Sequence, residues 1–165
     1  MILVFGQTGQ VARELAKFDG LSNLGREEAN LECPMSCFDS IIKRKPTAVI
    51  NAAAYTNVEK AEKNEELATL INAHSPAAMA SACDTLGIPL IQLSTDYVFD
   101  GSGSSAWTPS DTTKPINAYG RSKLAGEILI SKNTDNFAIL RTSWIFSNYG
   151  NNFVTKILKL SAERE

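Results

Sequence analysis

Four short runs of apolar, mostly β-favouring residues punctuate the chain: MILVF (1–5), TAVINAA (47–53), PLIQLST (89–95) and FAILRTS (137–143). Each is continuous rather than alternating, the pattern of a strand buried on both faces. Between them the apolar positions take a helical spacing, which predicts helices over about 10–18, 35–44, 65–86, 118–132 and 152–164. A weaker strand at LSNLG (21–25) fills the interval after the first helix. Strand–helix alternation of this kind predicts βαβ units joined by right-handed crossovers. The expected fold is therefore α/β, a Rossmann-like doubly wound parallel sheet with helices on both faces. The polar stretch DGSGSSAWTPSDTTKP (100–115) reads as a long loop, and long loops in compact domains are often functional. No internal repeat or low-complexity tract interrupts the series.

Composition narrows the partners more than it narrows the fold. The 165 residues suffice for one domain with a real core, and 44% hydrophobic with 21% charged residues is ordinary for a globular protein. A net charge of −2 offers no pull towards nucleic acid or an anionic membrane, so neither is expected as a partner. No apolar run approaches the roughly 20 residues needed to span a bilayer. The opening MILVFGQTGQ lacks a charged leader region and a cleavage site, so it reads as a strand of the mature protein and predicts a cytoplasmic location.

Cys33, Cys37 and Cys83 are an odd number, and CPMSC has the wrong spacing for a zinc knuckle, with no second ligand pair downstream. Free thiols and no metal site are expected. The single histidine, His74, lies in the helical stretch LATLINAHSPAAMASAC, where a place on a helix face is a better reading than the centre of a hydrolytic triad.

Two motifs carry chemistry. In VFGQTGQVARELA, Gly6, Gly9 and Ala12 follow a strand and open a helix in a G-x-x-G-x-x-A pattern. Gly6 permits the tight turn, Gly9 lets backbone N–H groups approach a pyrophosphate, and Ala12 allows close helix–strand packing. At the end of the second strand LGREE offers Arg26, which suits the 2′-phosphate of NADP(H), with NAD(H) as the alternative. In NAYGRSK (117–123), Tyr119 and Lys123 share one face of a helix. A neutral phenol can donate a proton, and a neighbouring ammonium should lower its pKa. LSTDYVFDG (93–101) lies at the carboxyl edge of the sheet, where Ser94 and Thr95 could hydrogen-bond a substrate carbonyl.

The glycine loop, NAAAYT (51–56), STDYVF (94–99), YGRSK (119–123) and RTSWIF (141–146) together resemble the extended short-chain dehydrogenase/reductases, and within them the dTDP-4-dehydrorhamnose reductase family, over essentially the whole chain. The resemblance implies NAD(P)H-dependent reduction of the C4 ketone of dTDP-4-dehydro-6-deoxy-L-mannose to dTDP-L-rhamnose. It makes Thr95, Tyr119 and Lys123 the catalytic group, with Tyr119 protonating the new alkoxide. It places Gly9, Gln10 and Val11 on the pyrophosphate beside Gly6, Arg26 near the ribose, and Asn30 and Leu31 near the adenine. Ala54, Tyr55 and Thr56 would line the cofactor, and Asp96 and Trp144 would face the sugar nucleotide.

Related dehydratases carry an Asp-Glu pair after the threonine, whereas here the pair is Asp96-Tyr97, which favours simple reduction. Alternatives are another nucleotide-sugar reductase or epimerase, and an NADP-binding regulatory subunit resembling the β subunit of methionine adenosyltransferase. NNFVTKILKLSAERE stops without a glycine cap or following strand, so the sequence reads as a fragment: residues 1–165 as the NAD(P)-binding domain, without the family's C-terminal substrate-binding part. Some relatives dimerise around Mg²⁺ through C-terminal residues. A homodimer is accordingly a candidate assembly, and no Mg²⁺ ligands can be placed here.

Overall fold

The computed structural model describes residues 1–163. Five strands, β1 (Ile2–Phe5), β2 (Leu21–Leu24), β3 (Ala48–Asn51), β4 (Leu90–Thr95) and β5 (Phe137–Thr142), form one parallel sheet in the order β2-β1-β3-β4-β5. The helices are α1 (Gln10–Leu15), α2 (Pro34–Arg44), α3 (Val58–Lys63), α4 (Glu65–Thr69), α5 (Ser75–Leu86), α6 (Ala118–Asn133) and α7 (Phe153–Ala162). Right-handed crossovers put α1, which returns the chain leftwards from β1 to β2, on one face of the sheet. The rightward crossovers put α2, α5 and α6 on the other. That second face holds the main core, where Leu3, Phe5, Val49 and Leu90 meet Cys37, Ile41, Met79, Cys83 and Ile130. The chain's direction of progress reverses between β1 and β3, and open α/β sheets bind ligands at that point, beyond the carboxyl ends of the strands.

The predicted strands and their order of appearance agree with this Rossmann-like sheet, but two helical readings do not. The single helix expected over 65–86 is interrupted by a π-helical turn, Leu70–His74, between α4 and α5. Pro76 supplies the reason: it has no N–H to give to the Asn72 carbonyl one turn earlier, so the ladder must shift there. The short helix α3 was not anticipated. It is capped by Asn57, whose side chain accepts from Lys60 N at 2.9 Å, while Asn64 ends it and caps α4 through Leu67 N at 3.0 Å. The last predicted helix appears as α7; residue 164, its expected end, lies outside the described residues. Cys37 and Cys83 are buried free thiols, raised to about 11 and about 12 by burial, and Cys33 is a free thiol at the surface. His74 is exposed on the π-helical turn.

Candidate functional site

The glycine turn after β1 is built by backbone geometry. Gly6 has φ +118°, and a Cβ there would stand 3.3 Å from both the Ala12 Cβ and the Ala52 carbonyl. No residue with a side chain would sit there without strain. At Gly9 the situation is the reverse: a Cβ would meet nothing nearer than the Ala52 oxygen at 3.9 Å. The face above Gly9 is therefore open, and a side chain would fill the space a phosphate needs, so the turn fits a dinucleotide. Asn23 on β2 locks it from below, its Nδ2 donating to Gly6 O and Ala12 O, each at 2.9 Å. Sequence reasoning missed Asn23; a polar amide inside a four-residue strand was the available signal.

The β3–α3 loop is held in the same way by Asn72 on the π-helical turn. Its Oδ1 accepts from Tyr55 N at 2.8 Å, and its Nδ2 donates to Tyr55 O and to Ser122 Oγ, each at 3.0 Å. The π turn brings Asn72 into this position, and α6 can come close because Gly126 has no Cβ to strike the Asn72 carbonyl.

Helix α6 begins at Asn117, whose side chain accepts from Gly120 N at 2.7 Å, and Gly120 in turn lets the helix approach the Tyr97 carbonyl. This presents Tyr119 beside the end of β4, its ring edge-on to Tyr97 with centroids 5.7 Å apart. Thr95 is buried, its hydroxyl accepting from Tyr97 N at 3.2 Å and lying 3.2 Å from Asp96 Oδ1. Burial raises the pKa of the Tyr119 phenol; the Thr95 hydroxyl opposes that, and the charge of Asp96 adds to it. The expected lowering by lysine is not what the structure shows. Lys123 Nζ donates to Leu93 O at 2.6 Å, and burial holds this ammonium down to about 8 against the field of Glu127. Ser94 also departs from expectation. Its hydroxyl is committed to Glu127 Oε1, at 2.5 Å, although Ser94 and Thr95 both line the same cavity.

Two adjoining cavities run along the carboxyl edge of the sheet. The first, about 520 Å³, is lined by Gly9, Gln10, Val11, Ala54, Thr56, Thr95, Asp96, Tyr119, Lys123 and Trp144. The second, about 840 Å³, is lined by Gly6, Gly9, Arg26, Asn30, Leu31, Ala54, Tyr55 and Thr56. Every residue expected to touch cofactor or substrate thus lines one or the other. Arg26 sits at the open rim, 77% exposed and loosely paired with Glu32 at 3.5 Å. Trp144 is a surface aromatic rather than a core one: it is 75% exposed, has φ +53° and meets Phe153 edge-on at 5.3 Å. The Gln10 side-chain oxygen is taken by the chain after β5, accepting from Ser147 Oγ at 3.0 Å and Asn152 Nδ2 at 2.9 Å. Among the described residues no group of three or more His, Cys, Asp or Glu is placed to hold a metal ion, and no helix is long and apolar enough to cross a membrane.

Known proteins are similar to this chain in sequence and fold. The dTDP-4-dehydrorhamnose reductase of Salmonella typhimurium is 40% identical over 174 residues, which take in 99% of this chain and 58% of that protein. The crystal structure of a dTDP-4-dehydrorhamnose reductase from Clostridium acetobutylicum superposes with a TM-score of 0.93 at 35% identity, over 98% of this chain and 59% of its own. That of the Bacillus anthracis enzyme, in complex with NADP, gives 0.94 at 32% identity, over 99% and 60%. The chain therefore spans about 58% of the length of the curated relatives it matches. The family model described as the RmlD substrate binding domain matches residues 1–165, the whole of the sequence that builds the glycine turn, the Asn72 clamp and the cavity floor, and the chain belongs to that family.

Proposed function

We propose that this chain is the NAD(P)-binding domain of a dTDP-4-dehydrorhamnose reductase, reducing dTDP-4-dehydro-6-deoxy-L-mannose to dTDP-L-rhamnose. The observation that carries the reading is the convergence of Thr95, Tyr119 and Lys123 with the glycine turn on one cavity. The B. anthracis relative was solved with NADP, and the open face at Gly9 with Arg26 at the rim of the adjoining cavity favours the same cofactor here, NAD(H) being the alternative.

The dinucleotide, when bound, supplies the hydride that reduces the ketone carbon. Backbone N–H groups at Gly9, Gln10 and Val11 would hold its phosphates, Asn30 and Leu31 would flank the adenine, and Ala54, Tyr55 and Thr56 would wall the cofactor. Thr95 holds the sugar C4 oxygen. Tyr119 gives its phenolic proton to that oxygen as the C–O double bond becomes single, so the ketone leaves as an alcohol. Burial keeps Tyr119 protonated at neutral pH, which suits a donor. Lys123, largely cationic near neutral pH and one helical turn from Tyr119, lines the same cavity and would hold the cofactor there. Asp96 and Trp144, on the open side of the cavity, are placed for the sugar nucleotide. A cytoplasmic location and a homodimer accompany this reading.

NADPH oxidation with the 4-keto sugar tests it. Tyr119→Phe should keep cofactor binding and lose at least about 100-fold in turnover; unchanged turnover would mean another proton donor. Because the chain spans about 58% of its relatives, these residues alone should bind NADPH yet turn over slowly. A rate equal to that of a full-length relative would refute that part. NADP binding with no turnover in the complete protein would favour the regulatory-subunit alternative instead.

A further inference from the structure

Behind the cavity, between β4, β5 and α6, lies a buried ion pair that the reaction above does not use. Glu127, one helical turn beyond Lys123, is only 6% exposed. Its Oε2 accepts from Arg141 Nη2 at 2.7 Å, and Arg141 Nε lies 3.2 Å from both carboxylate oxygens. Its Oε1 also accepts from the Ser94 hydroxyl. Arg141 stands opposite Ser94 in the β4–β5 register, and its Nη1 reaches the long loop to donate to Pro109 O at 3.2 Å.

A buried ion pair is weak grounds for stability, since packed apolar residues often do as well. Two features give this one another purpose. Ser94 is held at both ends, its hydroxyl by Glu127 and its carbonyl by Thr142 Oγ1 at 3.2 Å, so the next residue, Thr95, has a fixed start. The Lys123 ammonium is buried and, among the described residues, has one hydrogen-bond acceptor, the Leu93 carbonyl, and a buried cation needs an opposite charge nearby. Tyr119 and Asp96 line the same cavity as Lys123, and Glu127 follows it by one turn on α6 with Arg141 of β5 paired to that carboxylate. Glu62 and Glu65, from α3 and α4, are drawn instead to Arg121 at the surface. Glu127 is the carboxylate whose charge acts on Lys123.

We propose that Glu127 and Arg141 form a positioning unit for the reaction site, which anchors Ser94, and through it Thr95, and supplies the countercharge to the buried Lys123 ammonium. This rests on the roles proposed above for Thr95, Tyr119 and Lys123. Glu127→Gln keeps the shape of the side chain and removes its charge. With isotope-labelled lysine side chains followed by NMR, the Lys123 titration midpoint should fall by about one pH unit or more in the folded variant. An unchanged midpoint overturns the proposal.

The titration needs no substrate. A wild-type protein without turnover would sink the reductase reading and leave this readout standing. Turnover with an unmoved Lys123 midpoint would sink the positioning unit alone. If Glu127→Gln does not fold, Ser94→Ala carries the test, because it deletes one hydroxyl and leaves the ion pair in place. The Thr95 hydroxyl lowers the Tyr119 titration, so loosening Thr95 should raise the midpoint of a fluorotyrosine at position 119. A midpoint the same as that of wild type overturns the proposal equally.

Discussion

Lys123 should contribute more to stability as the medium turns alkaline, and Lys123→Met should remove that contribution. Burial brings the Lys123 ammonium from 10.5 in the open chain to about 8 in the fold. Below that lower value both states hold the proton, and the folded state carries the full penalty. At about 1.4 kcal/mol per pH unit the gap amounts to roughly 3 kcal/mol. Between about pH 8 and 10.5 this lysine binds more proton in the unfolded chain than in the folded one, so its contribution to stability rises with pH until the penalty is gone. Methionine has similar length and no charge, but it leaves the Leu93 carbonyl without its donor, at a cost of about 1–3 kcal/mol. Near neutral pH the two terms oppose each other, and the variant should range from equal in stability to about 2 kcal/mol better. Near pH 10.5 only the lost hydrogen bond remains, so the variant should be the less stable protein by about 1–3 kcal/mol. Urea unfolding followed by circular dichroism across that range measures both. Cys37 and Cys83 also titrate differently in the two states, but they are common to both proteins and cancel in the difference. If the difference between variant and wild type stays constant within about 0.5 kcal/mol across the range, Lys123 is not held as a disfavoured cation and the reasoning fails.

Two further substitutions probe the scaffold beneath the site. Gly126→Ala gains about 1 kcal/mol of helix propensity. Its Cβ, however, would be driven onto the Asn72 carbonyl and within 3.4 Å of Ala73 Cα, and neither backbone group can yield cheaply. Overpacking of that kind costs about 1–3 kcal/mol or more, so the melting temperature should fall; a rise would show that the contact is soft. Asn72→Ala strips both Tyr55 backbone groups and the Ser122 hydroxyl of a partner. It should cost about 2–4 kcal/mol in urea unfolding and weaken NADPH binding measured by fluorescence, and retention of both would deny Asn72 its clamping role.

The parts of the fold that were legible are those in which local pattern and final environment coincide. β1, β3 and β4 lie inside the sheet with helices over them, so their runs are continuously apolar and easily seen. β5 is an edge strand with alternating burial, and Leu140 is 47% exposed, yet its apolar composition still marked it as a strand. The break at Leu70–His74 was hidden because the apolar spacing of 65–86 stays helical; only Pro76, read for the carbonyl it deprives, discloses it. Helix α3 was hidden for the opposite reason, since VEKAEK buries a single residue, Ala61, and presents no apolar stripe. In the site, Tyr119, Lys123 and Thr95 were readable as types at a spacing. The effect of burial on Tyr119 and the commitment of Ser94 to Glu127 depend on partners 33 or more residues away or on packing from other elements. No spacing rule carries that information.

The same limit applies to the way the cavity is closed. In the sheet order β1 and β5 are separated by β3 and β4, so a groove above the strand ends would lie open along its length. It is crossed by the chain that follows β5. Ser147 and Asn152 both donate to the Gln10 amide oxygen, and the Arg13 guanidinium stacks 3.7 Å from the centre of the Tyr149 ring. Asn152 also caps α7, accepting from Thr155 N at 3.1 Å, so one residue ties the start of α7 to the opening of α1. The residues bridged are 137 and 142 positions apart in sequence, and each bond orders a surface loop at an entropic cost that a single exposed hydrogen bond would not offset. Two bonds converging on one amide, with the Arg13–Tyr149 stack beside them, join the glycine turn to the segment bearing Trp144. A disturbance of the turn at Gln10 is thereby also a disturbance of the cavity wall that bears Trp144.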